Sequence, residues 1–292
     1  MKKIILNISI LVLSVSLFLA CSSKEEDVSA KVEGLGGDIL AKQALDTWIE
    51  QTLTKPYNIE VKYRWDPYEV PLGKTLVPPL VDKVRPIMEG VKAIWIDPYE
   101  KVAGSDFIKK FCPKQYVLVG SANYNRDGTV TLGTAEGGRK VVLYTVNFFD
   151  KKYVGSNNDF GSLKQQLHTI HHEFGHILQQ NVAPSIAFRQ ITPSTYTSNW
   201  YNVSEGEALS LGYVSSYAMS KPDEDFVEVL AMMLVEGKSG YDAIVNAAPS
   251  TAAKTALRQK QQLVIDYMQN TYKINFTTLQ TLTQTAIKDF SK

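Results

Sequence analysis

The feature that most constrains this chain is His172-Glu173-Phe174-Gly175-His176, an H-E-x-x-H segment. Two histidines four residues apart lie one above the other on a helix face, and the glutamate between them points toward the same cavity. Imidazoles so placed can fix a metal ion, and the carboxylate can take a proton from attacking water, as a zinc hydrolase requires. The flanking residues favour a helix: Leu163, Leu167, Ile170, Phe174 and Ile177 form one apolar stripe spaced 4, 3, 4 and 3. Ser162 with Gln165 reads as a capping box at its start, and Pro184 stands just past its end. The competing reading is a surface helix that happens to be rich in histidine.

A catalytic zinc takes three protein ligands and leaves the fourth position open. All four histidines fall between His168 and His176, so a third imidazole from another element is excluded and the ligand must be a carboxylate. Two stretches compete. One holds Glu205 and Glu207; the other is Pro222-Asp223-Glu224-Asp225-Phe226-Val227-Glu228-Val229. From Phe226 to Val235 the second stretch is apolar on nearly every side except at Glu228. A buried carboxylate is costly without a cation beside it, so Glu228 is the expected third ligand. Glu205 or Glu207 is the fallback, and a salt bridge to a buried Lys or Arg is the rival account of Glu228. Asp225 is placed to hold a ligating imidazole by hydrogen bonding.

The chain begins with Lys2-Lys3, an apolar run from Ile4 to Ala20, and Cys21. This has the layout of a secretory signal, and the run is short of the about 20 apolar residues of a membrane span. Leu17-Phe18-Leu19-Ala20-Cys21 resembles the lipobox of bacterial lipoproteins, in which the signal is cut before a Cys that then carries lipid. Phe18 stands where Leu is more usual. Ser22-Ser23-Lys24-Glu25-Glu26-Asp27 reads either as an acidic tag for sorting to the outer cell face or as a solvated linker. With Cys21 assigned to lipid, Cys112 has no partner for an internal disulfide. A formal net charge of +1 offers nothing that favours nucleic acid.

These features divide the chain into a signal peptide at 1–20, a lipidated tether at 21–38 and one catalytic domain at 39–292. Within the domain, Leu40 to Leu53 has a helical apolar face, and Ile59, Val61, Tyr63 and Trp65 alternate with polar residues as a half-buried strand. The Pro-bearing stretch 66–79 reads as a loop, and Ile94 with Ile96 as a short strand. Residues 115–147 read as a β-meander. A sheet just before the H-E-x-x-H helix resembles the zincin architecture, which implies an edge strand along the cleft, placed at about Val141 to Asn147. Two C-terminal scaffold helices are expected, at Ala252 to Thr271 and Thr277 to Phe290.

His171-His172-Glu173-Phe174-Gly175-His176-Ile177-Leu178, Tyr217-Ala218-Met219-Ser220 and Glu224-Asp225-Phe226-Val227-Glu228 together resemble the zinc-binding metallopeptidase lipoproteins, also described as substrate import-associated zinc metallohydrolases. Tyr57 to Trp65 and Leu132 to Gly138 are similar to the same family, so the likeness covers most of the mature chain. Val227 stands where family members usually carry Ala, a change on the scale of a methyl group. The resemblance implies an α+β, gluzincin-like zincin fold, with a small sheet before the H-E-x-x-H helix and a helical C-terminal part. It implies one zinc per chain on His172, His176 and Glu228, with Glu173 as base. Tyr217 matches the family's tyrosine, where a phenol could bond the tetrahedral oxyanion; an ordinary core tyrosine fits the position equally well. The expected function is a lipid-anchored peptidase of the bacterial outer membrane, on its surface or periplasmic face. It would act on peptide or glycopeptide substrates beside outer-membrane import machinery. The alternative is an accessory substrate-binding lipoprotein of an outer-membrane import system whose zinc site is structural or vestigial.

Overall fold

A computed structural model describes residues 41–292. The expected signal peptide, Cys21 and the whole of the tether lie outside the described residues. No helix among the described residues is long and apolar enough to cross a membrane.

The compact unit spans Gln43–Lys292. It opens with helix α1 (Ala44–Ile49), which runs on through a π-helical stretch, Glu50–Thr54, and a last turn, Lys55–Tyr57. Asn58 then takes a left-handed conformation (φ 56°) that ends the helix and turns the chain into strand β1 (Glu60–Lys62). Ile59, Val61 and Tyr63 are buried there as the alternation predicts, but Trp65 is exposed. Helix α2 (Val81–Gly90) continues through a second π-helical stretch, Val91–Ile96, into α3 (Asp97–Ala103), and α4 (Ser105–Phe111) follows. The expected strand at Ile94 and Ile96 is therefore helical. Val91, Ile94, Trp95 and Ile96 are all buried, so this wound segment meets the core nearly all round and shows no helical polar stripe in sequence.

Strands β2 (Gln115–Leu118), β3 (Asn123–Tyr124), β4 (Val130–Thr131), β5 (Gly133–Glu136) and β6 (Lys140–Leu143) follow. The main sheet has the order β1-β2-β6-β5, and β3 pairs only with β4. The region is thus no meander. β1, β2 and β6 run parallel, and β5 returns antiparallel to β6. Parallel strands are covered on both faces and read as continuous apolar runs. Tyr116, Leu118, Val141 and Leu143 join the main core on one face, while Val117, Val119, Val142 and Tyr144 pack on the other beneath Val70 and Leu76 of the Pro-bearing loop. The edge strand is β5, not Val141 to Asn147.

The helical half includes α5 (Leu163–Asn181), the short α6 (Glu205–Ser210), α7 (Pro222–Ala247), α8 (Thr251–Tyr272) and α9 (Phe276–Phe290), with a single helical turn, Ile186–Arg189, between α5 and α6. Ser162 caps α5 through the Gln165 N–H, but Gln165 Oε1 accepts from Gly161 N–H. On the core side of α5, Phe174 meets Trp95 and Tyr99 edge-on with centroids 5.0 and 5.1 Å apart. Helix α7 breaks at Gly237 (φ 69°), and Gln284 of α9 donates to the carbonyls of Leu234 and Val235 freed there.

Candidate metal centre

α5 and α7 pack against each other across Gly175, where a Cβ would lie only 2.8 Å from Val227 Cγ1. The glycine of the H-E-x-x-H segment thus lets the helices approach closely, and the larger residue at 227 occupies the space beside it. Pro222 starts α7, and Asp223, Glu224 and Asp225 fill its first turn, where acidic groups suit the helix dipole. That start brings Glu224 onto the histidine face of α5.

Three atoms converge. Glu224 Oε2 lies 2.9 Å from His172 Nε2 and 3.0 Å from His176 Nε2, and the two nitrogens are 3.1 Å apart. Glu228, the expected ligand, lies instead on the far nitrogen of the same ring, with Oε1 2.8 Å from His172 Nδ1. Glu228 sits one helical turn deeper, and its carboxylate is engaged by protein donors. Oε1 also lies 2.8 Å from His168 Nε2, and Oε2 accepts from Ser215 Oγ at 2.6 Å. A proton on His172 Nδ1, donated to Glu228, would leave Nε2 free to bind an ion placed between His176 and Glu224.

Asp225 also departs from expectation. It touches no imidazole; its Oδ2 pairs with Lys260 Nζ of α8 at 2.6 Å and accepts from Tyr196 Oη at 2.8 Å. Both members of that ion pair are fully buried, and Lys260 also donates to the Gly212 carbonyl. The buried salt bridge weighed for Glu228 is therefore present at Asp225. Glu205 accepts from the backbone N–H and hydroxyl of Ser216, so it braces the turn that carries Tyr217; Glu207 is exposed in the first turn of α6.

The arrangement calls for a positive charge. Burial opposes charging His172, yet the Glu224 and Glu228 carboxylates outweigh it and hold that imidazole up at about 10. Burial likewise pushes both glutamates up, but the neighbouring imidazoles win and hold them below the usual carboxylate range. A divalent ion fits the same place. At ligand bonds of about 2.0–2.1 Å, tetrahedral geometry separates ligand atoms by about 3.3 Å. The three observed separations lie close to that, and among the described residues His172, His176 and Glu224 form a group able to hold a metal. A second such group, His168, His172 and Glu228, shares His172 through its other nitrogen.

Glu173 is 7% exposed, and burial raises its pKa while His172 and His176 pull the other way. Its helix packs tightly under the edge strand, since a Cβ at Gly133 would collide with Thr169 Cγ2 and lie 3.6 Å from Glu173 Cγ. The Ala135 backbone also bonds the Glu173 carboxylate. The Tyr217 ring stands 5.8 Å from that of His172 and meets Trp200 edge-on at 4.8 Å. Burial first, and then Glu224, keep its phenol protonated. His171 points elsewhere: it is fully buried near Tyr99, neutral, with its pKa pushed down to about 3 by burial.

Sequence reasoning missed three participants: Glu224 as the residue meeting both Nε2 atoms, and His168 and Ser215 on Glu228. The spacing of His168 four before His172 was the signal available for one of them.

An α+β unit that carries a His/Glu cluster on the helix behind its sheet edge is the architecture of a zincin-like metallopeptidase. Residues 39–277 match the family described as "putative zinc-binding metallo-peptidase". The structure is similar to the crystal structure of a putative zinc-binding metallo-peptidase from Bacteroides caccae, with 31% identity and a TM-score of 0.70, covering 87% of this chain and 97% of that one. No curated protein matches the chain. The chain belongs to this zinc-binding metallo-peptidase family.

Proposed function

We propose that this protein is a zinc-dependent peptidase of the H-E-x-x-H type, holding one zinc on His172, His176 and Glu224. The observation that carries the reading is the meeting of those three side chains beside Glu173, under a sheet edge. A zinc ion at that point would polarise the scissile carbonyl and acidify the attacking water. Glu173, buried and raised in pKa, is suited to accept the water's proton and hand it to the leaving amine. Tyr217, protonated and beside His172, is suited to donate to the oxyanion. Glu228 fixes the His172 tautomer. An extended peptide can add to the open side of β5, so main-chain pairing would set its register over Glu173.

The lipobox at Cys21 supports a lipid anchor, and the resemblance to import-associated metallohydrolase lipoproteins supports a place at the outer membrane beside an importer of glycans or peptides. Mass spectrometry of the mature N-terminus checks the anchor, and an unlipidated Cys21 would refute it. The catalytic reading is tested by digesting a peptide library with wild type, with chelated wild type and with Glu173→Gln. Chelator is expected to abolish cleavage. Glu173→Gln is expected to keep about one zinc per chain while losing about 10²–10⁴-fold in rate. Activity within tenfold of wild type would place the base elsewhere.

A further inference from the structure

His168 is absorbed by none of the roles above. It is one turn before His172 on the buried side of α5 and only 8% exposed, and among the described residues its Nδ1 has no partner. An apolar side chain would fill such a place at lower cost, because a buried ring with one polar atom unmatched is unfavourable unless the other does something. The other atom, Nε2, lies 2.8 Å from Glu228 Oε1, the oxygen that also meets His172 Nδ1. Ser215 Oγ holds the second oxygen, and that hydroxyl accepts in turn from Ala218 N–H at 3.2 Å.

We propose that His168 is a positioning residue for the metal site. It donates its Nε2 proton to Glu228, and with Ser215 it fixes that carboxylate so that it can only accept from His172 Nδ1–H. His172 is thereby locked with its Nε2 lone pair toward His176 and Glu224. The helix spacing makes this a chain of fixed parts. His168, His172 and His176 lie at successive turns of α5, and Glu224 and Glu228 at successive turns of α7. Each carboxylate therefore serves a pair of neighbouring imidazoles: Glu224 serves 172 and 176 at the cleft, and Glu228 serves 168 and 172 beneath it. The rival use of the same atoms is a second cation held by His168, His172 and Glu228. It would require His172 to give up its last ring proton, and the lower three side chains offer no open approach, being 8%, 5% and 4% exposed.

This inference rests on the metal reading above, and the test separates the two. Zinc affinity is measured by chelator competition on full-length wild type, His168→Leu and His168→Gln, whose amide can place a donor where Nε2 was. His168→Leu is expected to bind zinc about 10–100-fold more weakly, as when an outer partner of a ligand is lost, and His168→Gln to recover most of that. Wild type and His168→Leu binding zinc alike would overturn the inference and leave the metal site standing. A wild type without tight zinc binding would overturn both. Two zinc ions per wild-type chain, with one lost in His168→Leu, would overturn it in favour of the second cation. Should His168→Leu fail to fold, long-range ¹H–¹⁵N spectra of the zinc-loaded wild type decide, since four histidines give a readable map. A proton on His168 Nε2 and on His172 Nδ1 is expected; a proton on His168 Nδ1 alone would refute the proposal.

Discussion

Glu224 and Glu228 sit one turn apart on α7, both buried and both against His172, yet their removal should have opposite signatures. Zinc held by a full set of protein ligands is worth about 10–16 kcal/mol, or about 3–4 kcal/mol for each ligand. At 1.4 kcal/mol per tenfold, Glu224→Ala should weaken zinc binding by on the order of 10²–10³-fold. Glu228→Ala acts only through His172 and should cost about 10–100-fold. Stability of the zinc-free protein reverses the order. Glu228 accepts from His168, His172 and Ser215, so its loss strands three buried donors. Losing one partner of a buried charged cluster costs about 3–5 kcal/mol, or about 10 °C in Tm for a domain of this size. The partners of Glu224 lie nearer water. His176 is partly exposed and Lys221, 3.2 Å from Oε1, is well exposed, so the loss there should be about 1 kcal/mol.

The assay is chelator competition for zinc alongside thermal unfolding of the metal-free chains. Zinc affinity within tenfold of wild type in Glu224→Ala would refute the ligand assignment. So would a Glu228→Ala chain that loses more zinc affinity than Glu224→Ala while its zinc-free Tm is unchanged.

Gly133→Ala should cost about 1–3 kcal/mol by pressing a methyl into Thr169 Cγ2, and should lower activity by lifting β5 off Glu173. Adding Thr169→Ser, which removes that methyl and keeps the hydroxyl bond to the Gln165 carbonyl, should restore most of both; unfolding midpoints and turnover check it. Asp46 accepts two bonds from Arg64, and that guanidinium, outweighing burial, holds its carboxyl below the usual range. A depressed folded-state pKa gives stability that is complete above the unfolded value of about 3.9 and is lost as pH falls below it. Asp46→Asn should therefore lower Tm at pH 7, and the gap to wild type should close in the acid range; a gap independent of pH would refute the pairing.

How much of this was legible depends on whether a signal is local. The H-E-x-x-H helix, its Ser162 cap and its apolar stripe are set by neighbours in sequence, and each is found where the spacing puts it. The two C-terminal helices begin and end within one residue of their expected bounds. The sheet was misread because β2 and β6 pair across an excursion that includes the β3–β4 hairpin and β5. Runs such as Tyr116 to Val119 and Val141 to Tyr144 do not say whether their neighbour is parallel or antiparallel. The helical Ile94 and Ile96 failed for a related reason, since a segment buried on all sides loses the period that marks a helix.

The choice between Glu228 and Glu224 shows a limit of a different kind. The argument from cost was sound as far as it went: a carboxylate in an otherwise apolar helix needs partners, and Glu228 has three. It did not follow that the partner was a metal. On the zinc reading proposed above, a ligand that must share its ion with substrate belongs at the mouth of a cleft, where the helix is still polar and just beginning. The deeper carboxylate is free to orient a ligand from behind. Sequence distinguishes these two positions only by which acid stands nearer the helix start, and Pro222 marks that start two residues before Glu224.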